Sequence, residues 1–136
     1  MAALRTHKDL IVWRKAVSLA ARVHELTALF PAYDRQTLSQ QMRRCAVAVA
    51  SNIAEGAGRG SRAENIRYLD IARGALSELE TQVCICTDLH IIEHGSQLEA
   101  QVAEVGGMLS AMVRRLRENR DKAQGFVDPL RPSTSH

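Results

Sequence analysis

Leu38-Ser39-Gln40-Gln41-Met42-Arg43-Arg44-Cys45-Ala46-Val47-Ala48-Val49-Ala50-Ser51-Asn52-Ile53-Ala54-Glu55-Gly56 carries the clearest structural signal in the chain. Leu38, Met42, Cys45, Val49 and Ile53 recur at steps of three and four residues, the spacing of one face of an α-helix. Gly56, Gly58 and Gly60 then close it. From Cys45 to Ala50 every residue is apolar, and a helix apolar on all sides is buried on all sides. One bundle interior covers one stripe, so the remaining girth calls for another cover. Self-association through Ala46, Val47, Ala50 and Ala54 is the economical answer. The alternative is that alanine is simply neutral on a surface.

The same spacing recurs on both sides. Before this helix come Leu10, Trp13, Val17, Ala20, Val23 and Leu26, stopped near Phe30-Pro31 because proline cannot continue a helix. After it come Ile66, Leu69, Ala72, Leu76, Leu79, Val83 and Cys86, closing by Gly95. The last stripe reads Leu98, Val102, Val105, Leu109, Met112 and Leu116. Three capping-box patterns, Thr37 with Gln40, Ser61 with Glu64 and Ser96 with Glu99, stand immediately before helical stripes. These signals predict helices over about 8–29, 38–57, 62–92 and 97–120 in one domain, 1–124, and a flexible tail, 125–136. Short connections force antiparallel neighbours, hence an all-α, up-down-up-down four-helix bundle.

Composition agrees and excludes several classes. The 136 residues suit one domain, and 46% hydrophobic with 24% charged residues is ordinary for a soluble globular chain. No apolar run is long enough to span a bilayer, and Arg5, His7, Lys8 and Asp9 interrupt any secretory leader. Of three cysteines, Cys84 and Cys86 lie about 200° apart around a helix. Unpaired thiols beside Cys45 point to a reducing cytoplasm.

The formal net charge of +3 permits an anionic partner without requiring one. Basic residues gather in two places: Arg59, Arg62, Arg67 and Arg73 after the central turn, and Arg114, Arg115, Arg117, Arg120 and Lys122 at the end of helix four. Phosphate neutralisation by such arginines gives salt-sensitive, weakly sequence-selective nucleic-acid binding. A solvated face, favoured at the last turn by the helix dipole, is the competing explanation. Trp13 and Tyr68 fall on helical stripes, which leaves no aromatic-rich stacking platform. A second constellation is polar. If helices two and three turn near Arg59, then Arg43 or Arg44 faces Glu78, and Asn52, near Glu55, faces Arg67. That reads as a structural network setting register rather than as catalytic machinery.

Other chemistry is thinner. Cys86, His90 and His94, four apart, could share a helical face toward zinc, but no fourth ligand is evident. Gly56-Ala57-Gly58-Arg59-Gly60 lacks the strand and the lysine of a phosphate loop and reads as a cap and turn. Gly106-Gly107 inside helix four implies close helix approach or a bend. No catalytic residue, cofactor or metal is assigned. An enzymatic use of the region of Asn52, Glu55 and Arg67 ranks behind a binding role.

A family resemblance covers residues 9–116. It runs through Asp9-Leu10-Ile11-Val12-Trp13, Phe30-Pro31, Leu38 to Arg44, Ser51-Asn52-Ile53-Ala54-Glu55-Gly56, Arg67-Tyr68-Leu69, Ile71-Ala72-Arg73-Gly74 and Leu76-Ser77-Glu78-Leu79-Glu80-Thr81-Gln82. In these the chain resembles the four-helix-bundle proteins encoded in 23S rRNA intervening sequences. It is also similar to the accessory variability proteins of diversity-generating retroelements, which bind nucleic acid and a reverse transcriptase through a basic surface. The resemblance implies a left-handed bundle and a ring-shaped homo-oligomer, a pentamer, with RNA or DNA and a nucleic-acid enzyme as partners. Ala50 departs from it, since the family often has proline there, so helix two should run straight. Two functions stay open: an oligomeric RNA-binding adaptor, and a structural or protein-interaction scaffold without nucleic-acid affinity.

Overall fold

The structure is a computed structural model and describes residues 7–124, without the side chains of residues 9, 34–36 and 120–124. The tail assigned to 125–136 lies outside the described residues. Four long helices account for the domain: α1, Ile11–Thr27; α2, Gln40–Ala57; α3, Arg62–Asp88; and α4, Gln97–Gln124. Among the described residues there is no strand. Contacts run in a cycle, α1 to α2, α2 to α3, α3 to α4 and α4 to α1, around one core. This is an all-α four-helix bundle.

Helices α2 and α3 bury the stripes that their spacing predicts, and α4 does so as far as Leu109. Helix α1 is turned from its predicted face, with Val17 41% exposed and Trp13, Ala20 and Leu26 only half-buried. Val12, Ala16, Leu19, Val23 and Thr27 of α1 meet Met42, Cys45, Ala46, Val49, Ile53 and Gly56 of α2. Leu69, Leu79, Leu98 and Leu109 supply fully buried side chains from α3 and α4. Burying each such side chain contributes about 1.5–3 kcal/mol. The apolar girth of α2 is largely met inside the chain, which corrects the expectation that only other copies could hide it. Helix α2 packs on both α1 and α3, so Cys45, Ala46 and Val49 are buried, Ala48 and Ala50 half-buried, and Val47 alone is 46% exposed. The small alanines let two neighbours approach at once.

Helix ends follow local chemistry. Ser61 Oγ accepts the Glu64 N–H at 3.1 Å and Ser96 Oγ accepts that of Glu99 at 3.3 Å. Glu99 also reaches back to the Gly95 N–H at 3.0 Å, whereas the Glu64 carboxylate turns to Arg67 instead. The third box does not form. A helical turn at Ala32–Asp34 and a π-helical turn at Arg35–Ser39 lead straight into α2, and Ser39 has helical dihedrals without a side-chain cap. Backbone N–H groups there already have carbonyl partners, so Thr37 has no orphan donor to satisfy.

Helix α3 stops at Asp88, four residues before its predicted end near 92. The Ile91 N–H bonds to the Cys86 carbonyl at 2.8 Å and the His90 N–H to that of Thr87 at 3.0 Å. These two bonds form a Schellman closure. His90 sits at its left-handed position, φ 61°, where glycine is usual, and this hid the stop from sequence reading.

Register between α2 and α3 follows from one close approach. A Cβ on Gly56 would lie 2.9 Å from both Asn65 Oδ1 and Tyr68 Cβ, so only glycine fits without movement. Further along, Cys45 lies beside Glu78 and Gln82, and Met42 Sδ is 3.7 Å from Cys86 Sγ. The two helices therefore run antiparallel. Helices α3 and α4 do likewise, with Asp70 against Arg117 and Thr87 against Glu99. Gly106 meets Leu76 Cδ2 at an ordinary 3.4 Å from its would-be Cβ and Gly107 meets nothing, so neither glycine is demanded by a tight helix approach.

Gly56→Ala should destabilise the fold by about 1–3 kcal/mol through overpacking. Gly74→Ala, where a Cβ meets nothing within 4 Å, should stabilise it by up to about 1 kcal/mol. Urea unfolding of both variants checks the opposite signs. His90→Gly should stabilise by about 1 kcal/mol by relieving the left-handed histidine, read as a rise in Tm.

Candidate nucleic-acid interface

The antiparallel order brings the two arginine groups to one pole. The end of α2, the start of α3 and the end of α4 meet there. On them Arg59, Arg62, Arg67, Arg73, Arg114, Arg115 and Arg117 outnumber Glu55, Glu64, Asp70 and Glu118. The other half of the same helices carries Glu78, Glu80, Asp88, Glu99 and Glu104 against Arg43 and Arg44. The molecule is thus electrically polar along its length. The Arg120 side chain lies outside the described residues.

Asp70 joins the two groups. Its carboxylate accepts from Arg73 Nη1 at 3.0 Å and from Arg117 Nη2 at 2.7 Å, so one acid links α3 to α4. Sequence reasoning missed Asp70. Its spacing to Arg73 was legible, but Arg117 lies 47 residues away. Nearer the turn, Arg59 lies 3.2 Å from Glu55 and donates to the Tyr68 hydroxyl at 2.8 Å. The Arg67 guanidinium stands 4.6 Å from the Tyr68 ring centroid, while its Nε donates to Glu64 at 3.0 Å. The Glu64 bond and charge hold Arg67 still more firmly protonated. Tyr68, assigned to a helical stripe, is half-buried and serves as the post between two arginines. Arg62, Arg114 and Arg115 are exposed and have no ion-pair partner among the described residues.

The expected polar network of Arg43, Arg44, Asn52, Glu55 and Glu78 is not assembled. Arg43 Nε donates to Thr27 Oγ1 of α1 at 2.8 Å, and Asn52 turns back to its own Ala48 carbonyl at 2.8 Å. Glu55 pairs with Arg59, and Arg44 is exposed. Glu78 meets Cys45, whose thiol donates to Oε2 at 3.6 Å, because the α2–α3 register is offset slightly from the predicted one. Cys45 Sγ also accepts from Gln82 Nε2 at 3.5 Å. Of the proposed interface residues, Ala46 is fully buried inside the chain and offers nothing to another copy. Val47 is exposed, with Ala50 and Ala54 half-buried beside it.

The glycine run acts as a cap. The Gly58 N–H bonds to the Ala54 and Glu55 carbonyls and that of Arg59 to Gly56. Cys86, His90 and His94 do not share a helical face, since α3 ends at Asp88; among the described residues no group could hold a metal. No helix among those residues is long and apolar enough to cross a membrane.

A bundle of four long helices with one arginine-rich pole defines the class. The chain belongs to the 23S rRNA-intervening sequence protein family, whose model matches residues 8–111. Arg114, Arg115 and Arg117 fall just beyond that span. In fold it is similar to the crystal structure of a protein of unknown function from the S23 ribosomal protein family of Bacteroides thetaiotaomicron. That likeness has a TM-score of 0.70 at 22% identity, covering 76% of this chain and 99% of the other. No curated protein matches the chain.

Burial, with lesser help from Glu78, pushes the Cys45 thiol above its ordinary pKa of 9.0. Burial therefore favours the protonated thiol. Its stabilising contribution is whole below pH 9.0 and declines as pH rises past that value. At pH 8, iodoacetamide should label exposed Cys84 at least about tenfold faster than Cys45. Mass spectrometry of time points checks this.

Proposed function

We propose that the protein is a non-enzymatic, oligomeric helical bundle that binds structured RNA through its arginine pole. The observation that carries this reading is the convergence of both arginine groups around Asp70, with Arg62, Arg114 and Arg115 left unpaired among the described residues. Cations without internal partners are the ones available to phosphates. The 23S rRNA in the family's name makes RNA the polyanion to try first.

Assembly into a ring, five copies by the resemblance, would repeat the pole around an axis and strengthen its field. Val47, Ala50 and Ala54, at helical spacing, offer a small apolar surface for it. Reduced Cys45, Cys84 and Cys86 suit a cytoplasmic setting. A scaffold without nucleic-acid affinity is the second reading. It is favoured by the four arginines, Arg59, Arg67, Arg73 and Arg117, that already pair with the chain's own acids.

Fluorescence anisotropy with a labelled RNA hairpin separates the two. Binding should appear near about 50 mM salt and weaken steeply as salt rises. The Arg62→Ala, Arg114→Ala, Arg115→Ala triple variant should bind at least about tenfold more weakly. Its log–log salt slope should be shallower by about 0.7–0.9 for every phosphate no longer neutralised. Absence of binding by the parent protein at low salt leaves the scaffold reading standing.

A further inference from the structure

The arginines of the pole are of two kinds, set apart by what their guanidinium groups still offer. Arg62, Arg114 and Arg115 are exposed and have no ion-pair partner among the described residues, so their N–H edges are open to phosphate oxygens. Arg59 and Arg67 are committed differently. Arg59 engages both groups of its side-on fork: Nε stands 3.2 Å from Glu55 Oε2, and Nη2 donates to the Tyr68 hydroxyl at 2.8 Å. Arg67 Nε donates to Glu64 Oε2 at 3.0 Å. A phosphate seeking a bidentate grip along these edges finds them taken.

Their faces are another matter. Both guanidinium carbons lie over the Tyr68 ring, at 4.9 Å from its centroid for Arg59 and 4.6 Å for Arg67. One flat face of Arg67 is thus turned to the ring. The side chain is nevertheless 56% exposed, so the opposite face looks to solvent. A guanidinium face carries no N–H and is weakly hydrated, and it stacks on planar π systems. Glu64 and Tyr68 hold this one from two sides. A plane already held in place loses little freedom when it is covered.

In a polyanion, the planar groups that accompany phosphates are nucleobases. Paired bases hide their faces within the stem, whereas loops, bulges and single strands present them to arginine planes. We infer that the Arg67–Tyr68 stack receives an unpaired base of the RNA, while Arg62, Arg114 and Arg115 hold phosphates. The inference rests on the RNA reading of this pole and names the part of the RNA that the pole selects. Arg67 and Tyr68 then set the preference for unpaired over paired nucleotides.

Two labelled RNAs with equal numbers of phosphates test it, a hairpin with an adenosine-rich loop and a fully paired duplex. Each is titrated with the full chain by fluorescence anisotropy near about 50 mM salt. The parent should bind the looped RNA about tenfold more tightly. Arg67→Lys keeps the charge and can still meet Glu64, but it offers no plane. That variant should lose the preference and bind the duplex as the parent does. The Arg62→Ala, Arg114→Ala, Arg115→Ala variant should weaken on both RNAs and keep the preference. Equal binding of the two RNAs by the parent, or a preference that survives Arg67→Lys, overturns this inference and leaves the RNA reading intact. If neither RNA binds, the RNA reading falls and the inference falls with it.

Discussion

The closeness of α2 to α3 at Gly56 governs most of what the molecule presents. A missing side chain there lets the α2 backbone settle against Asn65 and Tyr68. Once that approach is made, the turn between the helices must place Arg59 beside Tyr68, and the register beyond it must bring Cys45 to Glu78 and Gln82. The same packing hides most of the apolar circumference of α2 between its two neighbours. Small side chains thus act twice in this helix, as spacers that admit a close neighbour and as surface that costs little where it stays half-exposed.

Electrostatics inherits that geometry. Arginines separated by some fifty residues become one pole because antiparallel helices return the end of α4 to the start of α3. Their charges are only partly self-compensated. Exposed pairs such as Arg67 with Glu64 are weakened by water and salt, too much to bind the arginines firmly to their own chain against a phosphate-dense partner. Asp70 differs in kind, since holding two arginines from two helices orients a surface as well as stabilising it. The far pole, acidic on balance with an apolar cavity at its tip, belongs to a different chemistry, and the length of the bundle keeps the two apart.

How far the sequence could be read varied with the range of the interaction. Three helical stripes and two of three caps were legible, because each rests on residues within one or two turns of each other; in α1 the predicted stripe shares only Val23 with the buried one. The failures are equally local in origin but non-local in cause. Thr37 looked like a cap until the preceding π-helical turn supplied its backbone partners. His90 gave no stop signal, because glycine is the usual marker of a left-handed cap. The proposed network around Arg43 and Glu78 depended on register, and a small offset sent Arg43 to Thr27 and gave Glu78 to Cys45.

Taken alone, the sequence determined the helices, the apolar faces of α2, α3 and most of α4, the antiparallel order that short connections impose and the two separate basic groups. Those follow from periodicity, capping and chain connectivity, which act over a few residues. Only the tertiary structure decided that Asp70 joins the basic groups, that Tyr68 stands between two arginines, and that the two inter-helix connections enclose an apolar cavity at the far end. Side-chain partners across helices depend on ångström-scale register. Register is set by how closely whole surfaces pack, and no local pattern encodes that distance.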